Sequence, residues 1–346
     1  MLADLIPHTF FVERADVTLW LMVVGAMVML VFGADRAVSA AARLAAVVGL
    51  SKVIIGATVV SLGTTSPEAA VSVNAAFKGD GGLALGNAVG SIICDTALIF
   101  GLSCVLTRLP KDRFILRRHG WLQFGAGALL TALLLALWAM AGNINDVVIP
   151  RVVGLGFLAL LGGYLYLSVR WSRRHPDLVP LEAGVTVKRN HVVRRAVVNL
   201  LVLAAGLALI IFGSEVLVGS ARTICQRYGV PEAVIAVTVV AVGTSLPELV
   251  TAIASIVKGH SELLVGNIIG ADILNVLFVI GASAAAVPLK VDPLFYTFLI
   301  PVMMGVLLMF RFFIFVPGDS LRRWQGVPLL AAYVFFVVVT VLKLRG

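Results

Sequence analysis

One segment of this chain is written twice. Gly56–Ser103 reads GATVVSLGTTSPEAAVSVNAAFKGDGGLALGNAVGSIICDTALIFGLS, and Ala236–Ser283 reads AVTVVAVGTSLPELVTAIASIVKGHSELLVGNIIGADILNVLFVIGAS. The two align without a gap at an offset of 180 residues. Shared positions include Gly63/Gly243, Thr64/Thr244, Pro67/Pro247, Glu68/Glu248, Gly86/Gly266, Asn87/Asn267 and Gly90/Gly270. The offset holds upstream as well, at Gly33/Gly213, Val38/Val218, Ala41/Ala221, Gly49/Gly229 and Ile55/Ile235. The chain must therefore provide two matched settings for one local structure, and each setting must accept a glutamate inside an otherwise apolar stretch.

Composition says what kind of setting. The 346 residues are 60% hydrophobic and 13% charged, against about 25% charged in an ordinary soluble protein. Runs such as Leu19–Phe32, Phe124–Met140, Val152–Leu167, Val197–Phe212 and Leu329–Leu342 approach, with their flanks, the ~20 residues of a spanning helix. No alternating barrel pattern is present, so an all-α integral membrane fold is expected. The net charge of +9 comes from basic residues in loops flanking apolar helices, which argues against nucleic-acid binding. Cys94, Cys104 and Cys225 have no CxxC spacing and read as packing residues. Met1–Asp16 lacks the features of a cleavable signal and reads as a short ordered or interfacial segment before the first span.

Ten transmembrane helices are expected: 17–48, 50–77, 81–106, 114–140, 146–171, 192–226, 230–257, 261–287, 293–316 and 324–344. The first and sixth are long enough to break or tilt. A hydrophilic linker, residues 172–191, separates a first five-span repeat (1–171, motif 56–103) from a second (192–346, motif 236–283). It is too short for a folded regulatory domain. An odd number of spans per repeat turns the second half upside down, giving two inverted five-helix repeats. With both termini outside, 19 of the 27 Lys and Arg residues fall on the inner side, in line with the positive-inside rule.

The chemistry concentrates at Gly63-Thr64-Thr65-Ser66-Pro67-Glu68 and Gly243-Thr244-Ser245-Leu246-Pro247-Glu248. A mid-span glycine and proline weaken a helix, so helices two and seven are expected to be broken. The carbonyls around Ser61–Gly63 and Ala241–Gly243 are then expected to lose helical partners, and a bound cation is one substitute. A carboxylate at mid-membrane costs about 2.5–3.5 kcal/mol even on lenient scales, which marks Glu68 and Glu248 as functional. On the partner helices, Asn87, Ser91 and Asp95 form one polar stripe, and Asn267, Ala271 and Asn275 form its counterpart with Asp272 beside it. Gly82, Gly86, Gly90, Gly266 and Gly270 read as faces for close helix approach. The five histidines sit at span ends or in loops. Carboxylate, amide, hydroxyl and carbonyl oxygens suit Ca²⁺, Na⁺ or Mg²⁺ rather than zinc or copper.

The paired GTTSPE/GTSLPE and GNxxG segments resemble the two α-repeats of the cation/calcium antiporter superfamily, with the closest look to its prokaryotic sodium/calcium exchangers. The resemblance implies an antiporter of the cell membrane that exports Ca²⁺ in exchange for Na⁺ by alternating access, with no cofactor. It implies Glu68 and Glu248 as central ligands, joined by Thr64, Thr65, Thr244 and Ser245, backbone oxygens at Ser61 and Ala241, and Ser91, Asp95, Ala271 and Asn275. It also makes the long first and sixth helices resemble sliding gating helices. Three departures stand out: Ala271 lacks a flanking hydroxyl, Asp95 and Asn275 exchange the acid and amide of several relatives, and Asp272 is an additional acid. The alternative they motivate is a Ca²⁺/H⁺ or other cation/H⁺ antiporter on the same fold, since a desolvated carboxylate can carry a proton. No G-x-S-x-G, HExxH or P-loop motif suggests an enzyme, and paired buried acids favour occlusion over a channel.

Overall fold

A computed structural model describes residues 6–111, 115–173, 189–229 and 241–345. Its architecture is all-α. The helices are α1 (His8–Val12), α2 (Asp16–Val48), α3 (Lys52–Thr64), α4 (Ser66–Phe77), α5 (Gly81–Leu106), α6 (Ile115–Ala141), α7 (Arg151–Arg173) and α8 (Arg189–Arg227). They continue with α9 (Ala241–Thr244), α10 (Leu246–Val257), α11 (Ser261–Ala286), α12 (Phe295–Phe315) and α13 (Arg323–Arg345). Among the described residues, eight helices are long and apolar enough to cross a membrane: α2, α5, α6, α7, α8, α11, α12 and α13. The segment 230–240, expected to begin the seventh span, lies outside the described residues, as do most of the linker and residues 1–5.

Local signals set the helix ends. Ser51 and Asp80 cap α3 and α5, their side chains accepting from the Ile54 and Leu83 N–H groups at 3.3 and 2.8 Å. Gly49 and Gly229 end the two long helices in the left-handed conformation, with φ of 67° and 72°. The fifth span was expected from residue 146; instead α7 starts at Arg151, because a short turn and Pro150 precede it.

The expected first break is real and local. Helix α3 carries a π-helical stretch at Gly56–Val60 and hands over to α4 at Thr65, with φ −83° and ψ −3°. Ser245, at the matched place before α10, has φ −90° and ψ 10°. One expectation needs correction: the Ser61 carbonyl keeps its helical partner, the Thr65 N–H, at 2.8 Å, and also accepts from Thr64 Oγ1 at 3.3 Å. The Leu62 carbonyl accepts from Ser66 Oγ at 2.5 Å. Short hydroxyl side chains reach back to these carbonyls, so Gly63 is the residue whose carbonyl Pro67 has no N–H to serve.

Helices α5 and α11 are innermost: 72% and 94% of their apolar stretches are buried, against 22–44% for the other spans. Glycine sets the closeness of the α3–α11 contact. A Cβ on Gly266 would stand 2.1 Å from the Val53 carbonyl oxygen, and one on Gly270 would stand 2.6 Å from Ala57 Cα. Among the described residues, a Cβ on Gly82 or Gly86 would meet nothing closer than 3.6 Å and one on Gly90 nothing within 4 Å, so no matching close approach is seen there. The two long helices, α2 and α8, pack along each other. They cross where Gly33 and Gly206 face each other's backbone. Neither is broken.

Two ribbons, too short to be read from sequence, tie the helix ends. Strand β1 (Leu109–Pro110) pairs antiparallel with β4 (Ser320–Leu321), and β2 (Val148–Ile149) pairs antiparallel with β3 (Leu289–Lys290).

Candidate cation site

The break at Thr65 and the start of α10 set Glu68 and Glu248 in the first turns of α4 and α10, one residue after a proline. Both are 1% exposed. Asp95 and Asn275 lie at the starts of π-helical stretches in α5 and α11, second in Cys94–Phe100 and first in Asn275–Ile280. Such wider turns recur at functional sites because they redirect side chains. Asp95 is 1% and Asp272 2% exposed. Glu68 lies within electrostatic reach of Glu248 and Asp95, and Asp95 within reach of Glu248 and Asp272. The fold thus brings together acids that are up to 204 residues apart in sequence.

The halves join directly. Thr65 Oγ1 donates to Glu248 Oε1 at 3.4 Å, and Thr64 Oγ1 donates to Asn267 Oδ1 at 3.4 Å. Ser61, Ser91 and Ser245 are buried in the same interior. The Ser245 hydroxyl approaches Asp95 and Cys94 without closing a well-aligned hydrogen bond. Thr244 is half-buried, and Ala241 opens the short helix α9.

The two asparagines hold the glutamates' backbone. Asn87 Nδ2 donates to the Glu68 carbonyl at 3.2 Å and to Ser72 Oγ at 3.0 Å. Asn267 Nδ2 donates to Thr251 Oγ1 at 3.2 Å, and Thr251 Oγ1 donates to the Glu248 carbonyl at 2.9 Å. Thr251 and Ser72 are therefore part of the scaffold, although the sequence reading does not include them.

Among the described residues, a set of buried oxygens has no hydrogen-bond partner: both carboxylate oxygens of Glu68 and of Asp95, Glu248 Oε2, Asp272 Oδ1, Ser91 Oγ, Ser245 Oγ and Asn275 Oδ1. Buried polar atoms are ordinarily satisfied, and hard oxygens gathered without partners have the chemistry of cation ligands. Among the described residues no three His, Cys, Asp or Glu side chains converge as tightly as a resident metal centre needs. A cavity of about 300 Å³ lined by Arg194, Arg195, Val198 and Asn199 shares no residue with this set.

Sequence reasoning also missed two residues beside Asp272. Thr96 Oγ1 and Gln123 Nε2 both donate to Asp272 Oδ2, and Gln123 Nε2 reaches Thr96 Oγ1 at 3.2 Å. Gln123 comes from α6, a helix with no other part in the site. His119, one turn earlier, stands near the start of α6 as expected for a span end, yet it is buried beside Tyr164 and Trp171.

Buried acids and orphaned oxygens between discontinuous and innermost helices define a membrane ion transporter by class, the arrangement in which such sites are built. More particularly, the chain belongs to the sodium/calcium exchanger protein family, whose model matches residues 18–170 and 198–342. It is similar to the inner membrane protein YrbG of Escherichia coli K12, 32% identical over 92% of this chain and 94% of that protein. It is also similar to the sodium/calcium exchanger MaX1 of Methanosarcina acetivorans, 28% identical over 90% of this chain and 95% of that one. Among solved structures it resembles the sodium-calcium exchanger NCX_Mj soaked with Na⁺ and Sr²⁺, with a TM-score of 0.75 and 25% identity over 93% of this chain and 97% of that chain. The protein is a multi-pass integral membrane antiporter with that exchanger fold.

Proposed function

We propose that this antiporter exports Ca²⁺ in exchange for Na⁺ by alternating access, with Glu68 and Glu248 as the central Ca²⁺ ligands. The orphaned oxygens contributed by both copies of the repeat carry this reading. Ca²⁺ takes several hard oxygens, carboxylates above all, in a flexible shell. Glu68, Glu248 and Asp95 supply the charge, with Ser91, Ser245, Asn275, Thr64 and Thr65 as neutral neighbours. Na⁺ ions compete for the same carboxylates. An uncompensated buried charge is costly, so the gate moves only when the acids are neutralised, and this couples the two fluxes.

The architecture proposed around the site is ten spans in two inverted repeats, 1–171 and 192–346, with both termini outside. Several features support it. Matched turns occur at Gly79 and Gly259 as well as at Gly49 and Gly229, and matched kinks at Thr65 and Ser245. Strands β1 and β3 start 180 residues apart, and each pairs with a strand from the other half. In the proposed inverted arrangement, a pseudo-twofold axis in the membrane plane would exchange the two ribbons. Helices α2 and α8, close-packed and unbroken, are suited to move as one body against the rest.

Proteoliposomes loaded with radioactive calcium test the proposal. A Na⁺ gradient is expected to drive calcium flux, and collapsing the pH gradient is expected to leave it unchanged. Flux that follows the pH gradient and ignores Na⁺ would establish the Ca²⁺/H⁺ alternative instead, the reading favoured by the missing hydroxyl at Ala271 and the added acid Asp272.

A further inference from the structure

Asp272 is an acid without a counterpart. The residue at its matched place is Ile92, and its two partners change in step: Thr96 matches Val276 and Gln123 matches Met303. The alignment reaches that far, since β1 begins at Leu109 and β3 at Leu289, and Gly125 matches Gly305. Ile92, Val276 and Met303 are fully buried members of one apolar core. Packing at this crossing of helices therefore does not require polarity. Three residues on three helices are polar together on one side of the molecule and apolar together on the other.

The polar trio is also incomplete. Asp272 Oδ2 accepts from Thr96 and Gln123, but among the described residues Oδ1 has no partner, and neither has either oxygen of neighbouring Asp95. Asp272 and Asp95 lie within electrostatic reach, with no cationic side chain among the described residues acting on either. We propose that Asp272, Thr96 and Gln123 form a second cation subsite, behind the Glu68/Glu248 centre and sharing Asp95 with it, that takes one Na⁺. Rotation of the Thr96 hydroxyl and a half-turn of the Gln123 amide convert both groups from donors to acceptors. The ion then meets a carboxylate oxygen, a hydroxyl and an amide oxygen, a neutral-rich set with the charge of a monovalent cation. It also offsets the repulsion between Asp272 and Asp95. The subsite stands in for the flanking site that lacks its hydroxyl at Ala271, so it rests on the reading of this chain as a Na⁺-coupled exchanger.

The test counts ions. The full chain is purified, and equilibrium binding of radioactive sodium is measured per chain without calcium. A triple variant carrying Asp272→Ile, Gln123→Met and Thr96→Val installs the residues that the other half already uses. It is expected to bind about one Na⁺ fewer, and the Hill coefficient for Na⁺-driven calcium flux is expected to fall by about the same step. Thr96→Ser, which keeps the oxygen, is expected to retain the wild-type count, whereas Thr96→Val alone weakens Na⁺ binding. Should the triple misfold, this serine and valine pair carries the test. Equal sodium counts in wild type and the valine variants would overturn the proposal, as would a deficit that follows pH and not sodium. Absence of Na⁺-driven calcium flux in the wild type would instead sink the exchange reading, while the binding count would still decide the subsite.

Discussion

On one side of the buried crossing between α5 and α11 lie Asp272, Thr96 and Gln123; at the matched places on the other lie Ile92, Val276 and Met303. Both trios are buried, and both draw on helices from the two halves. The apolar trio does what a membrane-protein core normally does. The polar trio keeps a carboxylate in the interior at a cost that packing does not recover. The duplicated scaffold therefore builds two equal frames, and function enters where the frames differ. The same holds for Asp95 against Asn275 and Ser91 against Ala271, each a loss or gain of an oxygen at a place the repeat otherwise keeps.

The largest effect is expected where the frames agree. Glu68→Gln and Glu248→Gln should each lower Ca²⁺ flux by about a hundredfold or more, the scale on which removing one partner of a buried charge interaction acts. Protein yield and elution profile should stay near wild type, because the amide keeps the size of the acid. The comparison is sharpened by their unequal settings: Glu248 Oε1 accepts from Thr65 across the repeat boundary, while neither Glu68 oxygen has a partner among the described residues. Near-normal calcium uptake by either variant would remove it from the centre.

The next test adds polarity to the apolar frame. Ile92→Asp places a carboxylate between Val276 and Met303, with no donor corresponding to Gln123 or Thr96. The cost is about 2.5–3.5 kcal/mol at a helix centre, to be read as a fall in thermal midpoint in detergent. Adding Met303→Gln and Val276→Thr supplies the donors and should recover part of that loss. Failure to recover any of it would show that the polar trio depends on more than its three members.

Much of this was legible in the sequence, for a physical reason. A gapless repeat fixes spacing, so the matched glutamates, the kinks after Gly63 and Gly243 and the length of α2 and α8 could be read directly. Asp272 was visible as an intramembrane acid, but its role was not. Gln123 is a single polar residue beside a long apolar run, with no periodicity to mark it, and it meets Asp272 across 149 residues. The role of Asn87 and Asn267 was hidden in a similar way: amides in a polar stripe look like ligands until their donors are seen to hold the Glu68 carbonyl and Thr251. The ribbons β1–β4 and β2–β3, two residues per strand, fall below any pattern a sequence carries.

Glycine contacts give a smaller effect. Gly266→Ala sets a methyl against the Val53 carbonyl, a backbone atom that cannot rotate away, and should cost about 1–3 kcal/mol as overpacking. Gly25→Ala on α2, where a Cβ meets nothing within 4 Å, is the control and should be neutral or slightly stabilising through helix propensity. Equal midpoints for the two variants would mean that α3 and α11 are free to separate, against the close fit described.

The smallest effect concerns the tie between the long helix α2 and the end of α10. Lys258 Nζ sits 2.6 Å from Asp35 Oδ1 and 2.8 Å from Ser39 Oγ. Asp35 is half exposed, so solvent screens the pair, and Lys258→Met should change stability by about 1 kcal/mol or less. Position gives the contact more interest than its energy. Lys258 matches Lys78 and Asp35 matches Glu215 under the same 180-residue offset, yet Lys78 is exposed at the end of α4. If α2 and α8 move as one body, a tie between α2 and α10 must break during each cycle. Lys258→Met should then alter the turnover rate of Ca²⁺ exchange by a few-fold while leaving the midpoint almost unmoved. A midpoint shift with no change in rate would make the pair a simple surface contact and leave the difference between the two halves to the buried trios alone.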